Sequence, residues 1–324
     1  MEVHLLLVIL ALSGSLGMAQ TWECASRGGA CRASAKKGCV RLQGKCENDQ
    51  VCCQKGSCEC GVANDVRIIG GEEISPPNKY PWLVGLLQSE TVEDGFSCGG
   101  SIISPNYVLT AAHCLFDEDD LAIPAEELQV GIANHNFNSE DDDIPGVTQV
   151  VDVESYITHE DYIHGELSDF NNDIALIHLK ETLDLTSYPQ VRPVCLPSDP
   201  NTKYEGQTGT VVGWGDTKNG KGAYPDAARE VNLPIKDCTG ELGGDPIIPQ
   251  IMCAGKEKSK NKGAKGICFG DSGGPLFVKE DGKYTQVGIV SHVVESCLTP
   301  GVFTRVTEFL TWISDNTPGE TFCR

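Results

Sequence analysis

At 324 residues and a net charge of −21, the chain is long enough for more than one hydrophobic core. It is too acidic to read as a binder of nucleic acid or of anionic membranes. Its 16 cysteines exclude a reducing compartment as the place where it matures.

The first 19 residues, MEVHLLLVILALSGSLGMA, form an apolar run ending in the small residues Gly17 and Ala19. This is the pattern of a secretory signal peptide cut after Ala19, so the mature protein is expected to be secreted. No later stretch approaches about 18 uncharged apolar residues, and no membrane span is expected. Residues 20–60 follow as a cysteine-rich module. Eight cysteines crowd between Cys24 and Cys60, against eight more from Cys98 to Cys323. So short a module cannot bury a core and must be stapled by disulfides. Residues 61–67, GVANDVR, read as a linker, and residues 68–324 form the second domain. Charge divides at the same point, with +3 over residues 20–67 and −23 from Ile68 onward.

Beyond the linker, short apolar runs are broken by Gly, Pro and Asn, with little helical period. WLVGLL, GGSIISPNYVLTAA, ELQVGIA, TQVVDVESYI, NDIALIHL, GTVVGWG and QVGIVSHV all read as strands. PLFVKEDGKYTQVGIV reads as a hairpin turning near Asp281-Gly282. The acidic clusters Asp117–Asp120 and Glu140–Asp143 read as exposed loops. Near the end, Val306, Phe309, Leu310 and Ile313 fall at i, i+3, i+4 and i+7 ahead of Pro318, which predicts a C-terminal helix. Many short strands in such a chain predict an all-β barrel or sandwich.

Three segments carry the chemistry. A serine hydroxyl is a poor nucleophile at neutral pH, and acyl transfer needs a base, an orienting group and donors for the oxyanion. TAAHC offers His113, NNDIALI offers Asp173, and GDSGGP offers Ser272. Together with RIIGG, PWLVGL, CGGSIISPNYVLTAAHC, RPVCLP, GWG, MCAG and PGVFTRV, these segments resemble the chymotrypsin-like serine proteases over about four-fifths of the chain, Arg67 to Thr311. The resemblance implies two six-stranded antiparallel β-barrels with a C-terminal helix. It implies His113 as base, Asp173 as its orienter and Ser272 as nucleophile. Gly270 and Ser272 would supply the oxyanion-hole N–H groups. His135, His159, His164 and His178 match no motif and read as surface or core histidines. The competing reading is a non-catalytic homologue that acts as a binding adaptor through its cysteine-rich module.

The resemblance also implies a zymogen. Cleavage between Arg67 and Ile68 would free an α-amino group to pair with Asp271. Amine deprotonation near pH 8 would then set an alkaline limit on activity, and His113 an acid limit near about pH 6–7. The family pattern pairs Cys98 with Cys114, Cys238 with Cys253 and Cys268 with Cys297. It tethers Cys195 to Cys60 or Cys58, and leaves Cys323 for the other of these two. The module resembles β-defensins or arthropod clip modules. Substrate would be held by Gly266, Ile267, Phe269, Ser291, His292, Val293 and Gly301. Trypsins carry Asp where Gly266 stands, so a substrate Arg or Lys would find no countercharge. Ile267 and Val293 narrow the slot toward an elastase-like preference for small or medium apolar residues, with a chymotrypsin-like taste for Phe or Leu as the alternative. Arg67 itself would then need a separate trypsin-like activator, in a digestive or an immune-cascade setting. The expected partners are thus protein substrates and that activator. No cofactor is expected. The one candidate ion is calcium, in the loop Asn134–Asp143, where Asn134 replaces the first Glu of the trypsin pattern. No N-x-[ST] sequon occurs.

Overall fold

The computed structural model describes residues 30–32, 39–41, 51–55, 59–64, 73–88, 96–163, 171–218, 220–240, 247–255, 266–293, 297 and 300–324. The chain divides into two units. One comprises Met1–Glu59 with Gly319–Cys323, the other Cys60–Pro318 with Arg324. In the first unit, β1 (Ala30–Arg32), β2 (Cys39–Arg41) and β3 (Val51–Lys55) form an antiparallel sheet with β3 central. The remaining features expected of the cysteine-rich module fall outside the described residues, as do Cys58, Arg67, Ile68 and His164.

The second unit contains two closed barrels of six antiparallel strands each, as the resemblance implied. The first runs in space β4 (Leu83–Gln88), β5 (Phe96–Ile102), β6 (Tyr107–Thr110), β9 (Ala175–Leu179), β8 (Gln149–Thr158) and β7 (Leu128–Ile132). The second runs β10 (Thr208–Gly213), β11 (Arg229–Lys236), β12 (Ile251–Ala254), β15 (Gly301–Arg305), β14 (Lys283–Val293) and β13 (Pro275–Glu280). Closure leaves no sheet edge unpaired, and every second side chain points inward to fill the barrel. Val84, Leu86, Val108, Val130, Ile132, Val151, Leu176 and Ile177 are buried with the first barrel. Val211, Leu233, Ile235, Met252, Ile267, Leu276, Val287 and Phe303 form one cluster in the second.

The β13–β14 turn sits where the sequence places it. Asp281 and Gly282 both have positive φ, 49° and 83°, the pattern of a two-residue primed turn whose twist matches the strands. At the C-terminus, a 3-10 turn over Val306–Phe309 leads into α1 (Leu310–Asp315). All four residues of the predicted apolar stripe are buried.

Among the described residues, disulfides join Cys60–Cys195, Cys98–Cys114, Cys238–Cys253 and Cys268–Cys297. Cys323 is also bonded, and its expected partner Cys58 lies outside the described residues. The segment around Cys60 is fastened by more than its sulfur. The N–H of Gly61 donates to Pro193 O at 2.8 Å, and its carbonyl accepts from Tyr284 N at 2.8 Å. Three residues on, Asn64 donates from its side chain to Asn78 O at 2.8 Å and to Pro189 O at 3.0 Å.

Candidate active site

His113 lies in a 3-10 turn, Ala112–Leu115, that ends β6. Asp173 precedes β9. It follows Asn172, whose left-handed φ of 57° a short amide side chain tolerates better than most. Asp173 is 1% exposed. Its Oδ1 accepts the backbone N–H of His113 at 3.0 Å, and its Oδ2 faces His113 Nδ1 at 2.8 Å. The same Oδ2 accepts from Ser291 Oγ at 2.6 Å, and Thr304 Oγ1 donates to the Asp173 carbonyl at 2.7 Å. Burial by itself would raise this carboxyl. The charge of His113 and the hydrogen bonds from His113 and Ser291 outweigh it and hold Asp173 below its ordinary range.

Ser291 and Thr304 come from the second barrel, so Asp173 is held from both sides of the interface between barrels. The pairing of β14 with β15 explains the reach of Ser291. Val290 opposes Phe303 and His292 opposes Val302, which leaves Ser291 as the extra residue of a bulge. A bulge turns its side chain out of the regular alternation, here onto Asp173. Sequence reasoning assigned Ser291 to the substrate pocket. Its hydroxyl donates to the Asp173 carboxylate.

Ser272 lies in the turn before β13. Its carbonyl accepts from Gly99 N on β5 at 2.7 Å. The Gly99 carbonyl in turn accepts from Thr110 Oγ1 at 2.9 Å. The next residue, Gly273, donates to Val290 O at 2.8 Å. At φ +74° and pressed against Thr110 and Gly99, Gly273 has no room for a side chain. Cys98 bonds Cys114, the neighbour of His113. The serine turn and the histidine are therefore both fastened to the same end of β5. Among the described residues, neither the N–H of Gly270 nor that of Ser272 has a hydrogen-bond acceptor.

Asp271 turns away from Ser272. Its carboxylate accepts from Gly215 N and Cys268 N, each at 2.9 Å. Burial nonetheless pushes its carboxyl up to about 6, more than the two N–H groups pull it down. Among the described residues no cation faces it.

The pocket residues separate into a floor and a rim. Gly266 is half-buried, and Ile267 is wholly buried in the core of the second barrel. Ile267 lies directly against Gly301, where any side chain would collide with it. Val293 packs against the same core, while His292 is exposed. Phe269, expected from the sequence among the substrate-holding residues, stands at the surface. It is 54% exposed and turns outward toward Gly220.

Among the described residues, the one group of three His, Cys, Asp or Glu ligand atoms is Cys98, His113 and Cys114. Both of its sulfurs are consumed in a disulfide, so it does not fit a metal. In the candidate calcium loop, Asn134 Oδ1 and both carboxylate oxygens of Asp142 are buried without a hydrogen-bond partner. His135 is buried with its Nε2 3.6 Å from Glu73 Oε1. His159 stacks on Trp312 and His178 on Tyr107, so all three stand apart from the catalytic cluster.

The Trypsin family model matches residues 68–313. The chain is 34% identical over 270 residues to the proclotting enzyme of Tachypleus tridentatus, covering 79% of this chain and 68% of that one. It is 36% identical over 266 residues to serine protease SSP1 of Scolopendra subspinipes, covering 79% and 85%. To phenoloxidase-activating factor 1 of Holotrichia diomphalia it is 33% identical over 279 residues, covering 80% and 72%. With two closed six-stranded barrels meeting at His113, Asp173 and the turn of Ser272, the chain belongs to the trypsin family of serine proteases.

Proposed function

We propose that the chain is a secreted endopeptidase made as a zymogen, switched on by cleavage at Arg67–Ile68, that cuts proteins after small or medium apolar residues. The observation that carries the catalytic part is the Asp173 carboxylate, held by Ser291 and aimed at His113 beside a serine turn with two open N–H groups. Ser272 Oγ attacks the substrate carbonyl and passes its proton to His113. The oxyanion settles on the N–H groups of Gly270 and Ser272. As the C–N bond breaks, His113 returns the proton to the leaving amine. Water then repeats the sequence on the acyl-enzyme and releases the acid.

The Asp271 carboxylate, which faces no cation among the described residues, supports the zymogen reading. A buried charge without a counter-ion is costly, and the ammonium of a freed Ile68 would supply one. The apolar preference rests on Ile267 and Val293, which leave a shallow slot, and on Gly266, which brings no carboxylate to its floor. An enzyme of that preference does not cut after Arg67, so a separate trypsin-like protease activates it. Relatives named for clotting and phenoloxidase activation favour a cascade over digestion. Asn134 and Asp142 offer oxygen donors that fit calcium, which would stiffen the loop between β7 and β8.

Full-length secreted chain, incubated with trypsin that is then inhibited, tests this reading. A new Ile68 terminus by mass spectrometry, with cleavage after Ala or Val that Ser272→Ala abolishes, is the expected result. Efficient self-cleavage at Arg67 without trypsin refutes the pocket argument. An Ile68 terminus without hydrolysis of any peptide refutes the enzyme.

A further inference from the structure

The chain ahead of the Arg67–Ile68 bond is fastened to the barrels at closely spaced points. Cys60 is bonded to Cys195, and Gly61 bonds to Pro193 and Tyr284 through its N–H and its carbonyl. A side chain on Gly61, whose φ is +64°, would run into the backbone of Tyr284, so the two chains pack directly on each other. The last hold before the bond is Asn64. Its N–H donates to Lys79 O at 2.8 Å. Both protons of its side-chain amide are also used, one on Asn78 O at 2.8 Å and one on Pro189 O at 3.0 Å. One short side chain thus ties the linker to two separate segments.

The surface that accepts these bonds is itself held. Lys79 Nζ grips the Glu230 carboxylate of β11 at 2.8 and 3.0 Å, and Tyr80 donates to the same carboxylate at 2.6 Å. Asn78 is buried, and the N–H of Lys79 donates back to Pro76 O at 3.1 Å. Lifting Asn64 therefore breaks its bonds and does not carry the surface along with it. Downstream of the bond, the next attachments among the described residues are Glu73, bridged to Arg229, and Ile74, whose N–H donates to Ala228 O.

Chain length gives this hold a consequence. Only Asp65, Val66 and Arg67 separate Asn64 from the bond. An extended chain advances about 3.3 Å per residue, so the bond can stand at most about 10 Å from Asn64. That is the thickness of one packed layer, and it leaves little slack for a bond that must enter a cleft between two barrels. Releasing Asn64 moves the nearest upstream hold among the described residues back to Gly61 and doubles the arm from three residues to six. We propose that Asn64 is a latch on activation, and that its three bonds must open before a trypsin-like protease can take the Arg67–Ile68 bond. This rests on the zymogen reading and deepens it. Cleavage then follows the small population in which the latch is open, so the folded chain is cut more slowly than its local sequence allows. Stray activation by proteases that read only the residues next to Arg67 is suppressed, and the activator that succeeds is one that draws Asn64 off the surface.

The test exposes three full-length zymogens to limiting trypsin: wild type, Asn64→Ala, and Asn64→Asp, whose carboxylate would face two carbonyls. Synthetic peptides of residues 61–72 with Asn, Ala or Asp at position 64 run alongside. Both variant zymogens should be cut at Arg67 about tenfold faster than the wild type, the effect of losing two ordinary hydrogen bonds from the closed state. The three peptides should be cut at rates within about twofold of one another, as should the other Lys and Arg sites of the folded chains, read in the same digest by mass spectrometry. Once cut, all three proteins should hydrolyse a p-nitroanilide with Val before the bond at equal rates. Equal cutting of the three zymogens overturns the proposal. So does a difference that the peptides reproduce, since trypsin then reads residue 64 directly. A speed-up shared by the other sites also overturns it, since that marks general loosening. No cut at Arg67 in any of the proteins overturns the zymogen reading, and the latch with it. A cut that releases no anilide activity overturns the endopeptidase reading alone, because the latch is read on the Arg67–Ile68 bond.

Discussion

Removing the charge of Asp271 tests the zymogen argument without any substrate. In the uncut chain this carboxyl is pushed up to about 6 from an ordinary 3.8. A folded-state pKa above the unfolded one means that the folded state holds its proton more tightly. Well below pH 4 both states are protonated and the group is neutral to stability. As pH rises toward 6 the unfolded chain ionises first, and stability falls. Above 6 the cost is constant at about 3 kcal/mol, from roughly 1.4 kcal/mol per unit. Asp271→Asn keeps the shape and cannot ionise. Like the protonated acid, it offers one good acceptor to the two N–H groups of Gly215 and Cys268. The variant should therefore come close to the wild type near pH 4, within about 0.5 kcal/mol, and be more stable at pH 7.5, by about 3 kcal/mol at most. For a domain of this size that is roughly 6–12 °C in Tm. Differential scanning calorimetry of both uncut proteins at the two pH values reads it. Cutting the wild type at Arg67 should recover most of the same stabilisation, because the Ile68 ammonium then neutralises the carboxylate. A variant that gains nothing between pH 4 and pH 7.5 refutes the claim that Asp271 carries an uncompensated buried charge in the uncut chain.

Ser291→Ala removes a hydrogen bond to a buried carboxylate, and kcat on amide substrates should fall about 10–100-fold with KM little changed. Unchanged kcat would show that His113 alone holds Asp173. Val293→Gly should widen the slot and raise kcat/KM for Phe relative to Val at P1 by at least about tenfold, read with a peptide series. Calcium should raise the Tm of the full-length chain in a way that Asp142→Asn abolishes. Equal shifts in both proteins would place the ion elsewhere. On a non-reducing gel the trypsin-cut chain should run as one species even after Cys60→Ala with Cys195→Ala, if Cys323 forms the second tether to the N-terminal segment. Release of a fragment would show a single tether.

Much of the fold is legible because each barrel strand needs only alternate apolar residues and a turn. TQVVDVESYI and GTVVGWG announce themselves in this way, and the Asp281-Gly282 turn follows from two residues able to take positive φ. β11 and β12 carry weaker signals. REVNLPIK includes a proline, and IMCA is a four-residue apolar run of no clear period, so pairing within the barrel decides both. At the site, residue type is legible and direction is not. TAAHC and GDSGGP name the base and the nucleophile. No sequence pattern reveals that a bulge turns Ser291 onto Asp173, that Phe269 faces solvent, or that Tyr224, 48 positions before Ser272, returns to lie over Gly270. These depend on register and on loop closure, which belong to the assembled barrel.

The bond between Cys60 and Cys195 bridges the Arg67–Ile68 linkage that activation would break. A cut chain therefore keeps its N-terminal unit, and the enzyme inherits the address of any surface that unit occupies. Held there, it meets nearby proteins at an effective concentration of the order of mM while remaining scarce a short distance away. Were that unit to hold a surface, proteolysis would be confined to it, and selectivity would no longer have to come from the cleft alone. Reducing the tethers would leave the cleft's own chemistry in place and turn a local reagent into a diffusing one.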